Sequence, residues 1–282
     1  MRSQASLDRA RDSVLLPSGD GPHVLLYDIE NMAGEGYMWD IWNTNIIRIK
    51  HHWYLLSNAY KWYRDPEDDS IQFDALWDDP KFKPGQRDDY YMAARIHALF
   101  DAADVTVAHN GDSFDRKKVN ARLLQHDLPP PSPYKTIDTK KESARYFNQL
   151  SNSLANLAEQ WGFGGKTEHP GFDMWLGCAQ GEKRWTDLME EYNRNDIELL
   201  ERVYEKLLPW IGSPGQATTL NRGMWGEGRP LCPKCGHNKL IKRGIHRTLV
   251  SEFQTWQCGS CKGYSRDRLR NSQADGTGVQ LV

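Results

Sequence analysis

Asp28 and Glu30 close the nearly continuous apolar run HVLLYDIE (23–30) and stand two residues apart. On a strand that spacing turns both carboxylates to one face. There they repel and raise each other's pKa unless a cation lies between them. A third acid comes from AHNGDSFD (108–115). Asn110-Gly111 turns the chain, Phe114 is expected to anchor the turn in the core, and Asp115 projects from the opening of a helix. The fourth, Asp196, falls on an apolar helical stripe of Trp185, Leu188, Met189, Tyr192, Leu199, Leu200, Val203 and Leu207, on the same face as Tyr192. A carboxylate in such a seam is costly unless it is paired or bound to metal. Singly, each acid has a plainer use, as a solvated strand end, a helix cap or a local ion pair. Converging on one site, four acids around one or two divalent ions are equipment for hydrolysing phosphodiesters. Hard oxygen ligands suit Mg²⁺ or Mn²⁺ rather than Zn²⁺.

The cysteines point to a different metal. Cys232-Pro-Lys-Cys235 and Cys258-Gly-Ser-Cys261 form CxxC-x22-CxxC, two thiolate pairs suited to one tetrahedral structural Zn²⁺. The module looks like a zinc ribbon, and a stretch this short has so little core that the metal must supply its folding energy. Residues 232–270 hold nine Lys/Arg against Glu252 and Asp267, a net +7; with Asp275, the whole-chain −2 leaves −8 for residues 1–231. An acidic body joined to a basic appendage implies a division of labour. The basic side chains, with Phe253, Trp256 and Tyr264, suit contact with nucleic-acid backbone and bases. Docking to a partner protein, such as one of replication or repair, is the competing use. The remaining cysteine, Cys178, reads as a packed small hydrophobe. The nine histidines show no ligand spacing.

These groups need a frame, and the chain supplies one. Its 282 residues are 39% hydrophobic and 26% charged, which excludes collagen-like and wholly disordered chains and leaves room for an α/β domain plus an accessory module. Strands are expected at 23–30, twice within 46–63, at 104–110 and at 135–139. Helices are expected from Ser113 to His126, from Thr139 (capped with Glu142), from Ser153 to Gly162, and from Lys183 to Leu208. Strands interleaved with helices argue an α/β fold with one mixed sheet. The aromatics Tyr37, Trp39, Trp42, Trp53, Tyr54, Tyr60, Trp62 and Tyr63 are better suited to sheet core than to stacking splayed bases. Lys117, Lys118 and Arg122 either line a substrate track or form a solvated helix face. Residues 1–21 and 271–282 read as mobile ends, and 211–230, rich in Gly, Pro, Ser and Thr, as a linker between a domain at 22–210 and the ribbon at 231–270. There is no run of 18 apolar residues and no apolar h-region at the N-terminus, so no membrane partner and a cytoplasmic location are expected.

The acidic motifs resemble those of the DEDD (DnaQ-like) 3′–5′ exonucleases, over residues 22–210. D-x-E matches Asp28-Ile29-Glu30; Asn-x(2–3)-Phe/Tyr-Asp matches Asn110 with Phe114-Asp115; Tyr-x3-Asp matches Tyr192 and Asp196. Tyrosine four before the last Asp marks the DEDDy branch, which includes the proofreading domains of family A and B DNA polymerases; the His-bearing branch would have histidine where this chain has Glu191. Asn31 stands near the terminal nucleotide where those families often have Thr, and it can still hydrogen-bond. The resemblance implies a ribonuclease H-like α/β fold, a mixed β-sheet flanked by helices, in a stand-alone relative carrying a C-terminal zinc ribbon. It implies two Mg²⁺ or Mn²⁺ in the active site. Asp28, Glu30 and Asp196 would hold the metal that activates the attacking water, with Tyr192 orienting that water; Asp28, with Asp115 through water, would hold the second. Asn110, Phe114, Lys117, Lys118 and Arg122 would lie along the substrate.

The expected activity is metal-dependent 3′–5′ exonuclease action, on a single-stranded DNA 3′ end, releasing nucleoside 5′-monophosphates. The competing readings are an RNA exonuclease or structure-specific endonuclease on the same fold, and a catalytically silent nucleic-acid-binding regulator.

Overall fold

The apolar run at 23–30 becomes strand β1 (Val24–Met32), flanked on both sides, as its composition requires. The computed structural model describes residues 4–18, 22–42, 45–211, 231–248 and 252–268. On one side of β1 lies antiparallel β4 (Tyr54–Trp62), buried along its whole length, and beyond it antiparallel β5 (Gln72–Ala75). On the other side β6 (Val105–Ala108) and β7 (Lys135–Asp138) run parallel, giving the order β5-β4-β1-β6-β7. This is the mixed sheet flanked by helices that the sequence led us to expect. The β1–β4 register shifts between Glu30 and Asn31, and a bulge there re-aims side chains at the end of the strand.

Period-2 alternation divides the two faces of β1. Tyr27 and Ile29 face α2 (Tyr90–Ala102) and α3 (Asp115–Gln125), with Tyr27 edge-on to Phe100 at 4.9 Å. Asp28 and Glu30 face α6 (Asp173–Gln180) and α7 (Lys183–Leu207). Two polar side chains on β4 fix α7 against this face. Ser57 Oγ donates to Asn193 Oδ1 and Lys61 Nζ to Glu201 Oε2, each at 2.8 Å. Along the same helix the apolar stripe buries Met189, Tyr192, Leu199, Leu200 and Val203.

Several details depart from expectation. The N-terminal stretch is not a free end over 4–18: α1 (Gln4–Asp12) packs on α2, Val14 is buried, and Leu15 exchanges bonds with Tyr60 and Trp62. Helix α4 (Thr139–Tyr146) is capped by Asp138, whose carboxylate accepts from Lys140 and Lys141 N–H, rather than by Thr139. α5 (Leu154–Gln160) starts from Ser153 as expected. A hairpin of β2 (Glu35–Tyr37) and β3 (Arg48–His51) leaves the sheet after β1. Residues 212–230 and 271–282, expected as linker and tail, lie outside the described residues.

The chain divides into two compact units, Met1–Tyr204 and Glu205–Val282. Within the second, β8 (Leu240–Arg247), β9 (Glu252–Cys258) and β10 (Tyr264–Arg268) form an antiparallel sheet in the order β10-β9-β8.

Candidate active site

Each of the four acids arrives on a rigid element. β1 delivers Asp28 and Glu30. The turn after β6 delivers Asp115: Asn110 adopts φ +70, a left-handed conformation that asparagine tolerates, and its N–H donates to Asp138 Oδ1 at 2.9 Å. Gly111 is required here, because a Cβ would stand 2.5 Å from that of Ala108. Asp115, buried at the first position of α3, accepts Ile29 N–H at 3.4 Å and is thereby tied to the strand between the other two acids. Helix α7 delivers Tyr192 and Asp196, both buried.

The acids sense one another. Burial, then Asp115, Asp196 and Glu30, push the Asp28 carboxyl well above its usual range. Burial and Asp196 raise Glu30 to about 7, and burial raises Asp115 to about 6. Asp196 is raised by burial in spite of Lys166. Burial is the largest cause in each case, and at Asp28 and Glu30 the neighbouring acids add to it. Asp196 Oδ1 is buried and has no hydrogen-bond partner. Carboxylate oxygens are the donor type that hard divalent cations prefer, but among the described residues no three of these acids bring ligand oxygens within 4.8 Å of one another.

Three neighbours that carried no sequence signal complete the site. Lys166, in the loop between α5 and α6, places Nζ 2.5 Å from Asp196 Oδ2 and 3.4 Å from the Tyr192 hydroxyl. Burial opposes its charge, but Asp196 holds the ammonium well above its ordinary pKa. Trp175 on α6 donates from Nε1 to Glu30 Oε2 at 3.2 Å. His169 packs edge-on against Trp175 at 5.1 Å and Tyr192 at 5.3 Å. Tyr192 is kept protonated by burial and by Asp196, so its hydroxyl can donate a hydrogen bond.

The expected substrate residues divide. Asn31 turns its amide to Met32 O at 3.2 Å. Phe114, expected in the core, is 41% exposed beside Asp115. Lys117 is exposed, while Lys118 lies 4.1 Å over the Trp53 ring and 5.1 Å over Phe114. Arg122 does not line a track. Its guanidinium bonds both oxygens of fully buried Asp89, at 2.8 and 2.6 Å, and stacks on Trp53. An isolated buried carboxylate needs such a partner.

Residues 72–208 match the RNase_H superfamily model. The match runs from β5 to the end of α7, so it covers Asp115, Tyr192 and Asp196, and β1 precedes it. The RNase H-like fold supports a nuclease-type activity. Among solved structures, the chain is similar to the family B DNA polymerase from the hyperthermophilic archaeon Pyrobaculum calidifontis, at 17% identity and a TM-score of 0.48, over 68% of this chain and 25% of that one. No curated protein matches the sequence.

In the second unit, Cys232, Cys235, Cys258 and Cys261 bring their sulfurs within 4.8 Å of one another. Sγ separations of 3.8 Å (Cys232–Cys261) and 3.7 Å (Cys235–Cys258) match the edge of a tetrahedron with bonds of roughly 2.3 Å, about 3.8 Å. This is a four-cysteine cluster of zinc-ribbon type. The ribbon aromatics are already covered by cations in part: Lys242 lies over Trp256 and Arg266 over Phe253, while Tyr264 is exposed. Cys178 is buried in the core, as expected. Among the described residues no helix is long and apolar enough to cross a membrane.

Proposed function

We propose that the chain is a metal-dependent 3′–5′ exonuclease acting on single-stranded DNA and releasing nucleoside 5′-monophosphates. The observation that supports this reading is that Asp115, Asp196 and Glu30 lie near enough to Asp28 to help hold its carboxyl up, with Asp196 Oδ1 left without a partner. These four would hold two Mg²⁺ or Mn²⁺ ions, and the four-cysteine cluster one structural Zn²⁺. When bound, divalent metal supplies an activated water and neutralises charge on the scissile phosphate.

The chain's own groups do the rest. Tyr192 stays neutral and directs its hydroxyl toward the site, able to orient a water. Lys166 fixes one oxygen of Asp196 and leaves the other free to ligate. Trp175 fixes one oxygen of Glu30 in the same way. Phe114 offers an exposed ring beside Asp115 for the terminal base. Preorganised ligands of this kind cost little rearrangement when substrate arrives.

The test is incubation with end-labelled single-stranded DNA and RNA, with Mg²⁺, Mn²⁺ or neither. Stepwise 3′ shortening of DNA by the wild type and its loss in Asp196→Ala are the expected results. Internal cuts, preference for RNA, or an unaffected variant would each replace the proposal.

A further inference from the structure

The aromatic residues between Tyr37 and Tyr63 do not share one fate. Tyr54, Tyr60, Trp62 and Tyr63 are core, whereas Trp39 is 85% and Trp42 89% exposed on the β2–β3 hairpin. A turn closed by Trp42 N–H to Asp40 Oδ1 at 2.8 Å sets the two indoles three residues apart. Solvation of two large apolar rings is unfavourable and needs a compensating use.

The strands of the hairpin carry charge next to aromatic surface. Tyr37 pairs directly with Arg48, so the two share a face, and exposed Lys50 follows at the register shift, ion-paired with Glu35 at 3.5 Å. Both hairpin acids are occupied, Glu35 by Arg87 and Lys50 and Asp40 by the turn. Exposed cations beside free rings, on a body whose net charge is −8, suit a polyanion with flat faces better than they suit an apolar protein interface, whose centre is depleted of lysine. The hairpin is also continuous with the carboxylate site. It leaves the sheet after Met32, two residues beyond Glu30, and returns through Trp53, whose ring is under Lys118, which in turn sits over Phe114 beside Asp115.

We propose that the β2–β3 hairpin is a stacking platform for single-stranded nucleic acid, with Trp39 and Trp42 holding bases of the strand whose 3′ end enters the carboxylate site. This rests on the nuclease reading. It assigns Arg48 and Lys50 to the phosphates between those bases.

The test is fluorescence anisotropy of labelled oligonucleotides of increasing length, without added Mg²⁺ or Mn²⁺, using the full chain and the Trp39→Ala/Trp42→Ala variant. Wild-type affinity should rise with length, and the variant should lose about tenfold or more on a long strand while differing little on a trinucleotide. Arg48→Ala/Lys50→Ala should flatten the dependence of affinity on salt. Equal affinities for the long strand would overturn the platform. So would sedimentation showing a wild-type dimer that the tryptophan variant breaks with strand affinity unchanged, since the hairpin, which also exposes Ile46, Ile47 and Ile49, would then belong to a second copy. Hydrolysis by wild type with unchanged variant affinity removes the platform alone. A wild type that neither binds nor cleaves any strand removes the nuclease reading with it.

Discussion

Asn193, fully buried on α7, donates from Nδ2 to Asp28 Oδ2 at 2.8 Å while its Oδ1 accepts the Ser57 hydroxyl at the same distance. One amide thus joins the long helix, the central strand and strand β4, and sets the rotation of a site carboxylate. Asn193→Leu strands the Ser57 hydroxyl and one Asp28 oxygen. We expect a loss of about 1–3 kcal/mol in denaturant titration and at least about tenfold lower kcat, the order of a lost positioning contact. Asn193→Asp should be more harmful still, since it sets another negative charge against Asp28.

Lys166 acts as a built-in cation at Asp196. Lys166→Met should lower turnover, because Asp196 and the Tyr192 hydroxyl lose their common anchor. It should also lower the Mg²⁺ concentration giving half the maximal rate, because a competing positive charge is gone. A metal titration of initial rates reads both; a rise in the half-saturating Mg²⁺ would count against the competing role.

The raised carboxyls make stability depend on pH. With Glu30 at about 7 and Asp115 at about 6, the folded metal-free protein retains protons that the unfolded chain has released. This contribution is complete below the ordinary carboxyl range and is lost as pH climbs through those two values. The metal-free Tm should therefore fall between about pH 5 and about pH 8, and Mg²⁺ should raise Tm more at the upper pH. Calorimetry at the two pH values with and without Mg²⁺ checks the sign.

Cys258→Ser removes one of the four thiolates. Zinc content by mass spectrometry should drop from one per chain to none, and amide-exchange protection should vanish over β8–β10 while persisting in β1 and β4. Protection that survives in the ribbon would mean its sheet folds without metal.

Arg243 and Arg247 project from β8 into solvent, bonded to Gln257 and Glu252. If the ribbon contacts phosphates, Arg243→Ala/Arg247→Ala reduces the slope of log affinity against log salt by about two. An unchanged slope assigns the ribbon to a protein partner.

Much of this arrangement is legible in the sequence because burial leaves periodic marks. The period of α7 exposes Asp196 as a misfit on an apolar stripe, and the β1 run does the same for Asp28 and Glu30. Helix α2 escaped because Arg95 and His97 interrupt its apolar pattern; both are buried, Arg95 against Asp74. Lys166 and His169 lie in a loop, where no period distinguishes a buried cation from a solvated one. Asn193 reads as an ordinary polar residue until β4 supplies Ser57. Trp39 and Trp42 share their composition with the core aromatics that follow, and only the hairpin's departure from the sheet separates them. Arg122 shows the reverse error: a cation beside a site looks like a phosphate ligand until Asp89, distant in sequence, claims it.

Asp28 and Asp196 come from opposite ends of the first unit. During translation, β1 leaves the ribosome long before the helix that closes its acidic face. On the proposed function, a nascent chain lacks its full set of acids until α7 has emerged and docked, and a cell making this protein would be spared nuclease activity from every unfinished copy.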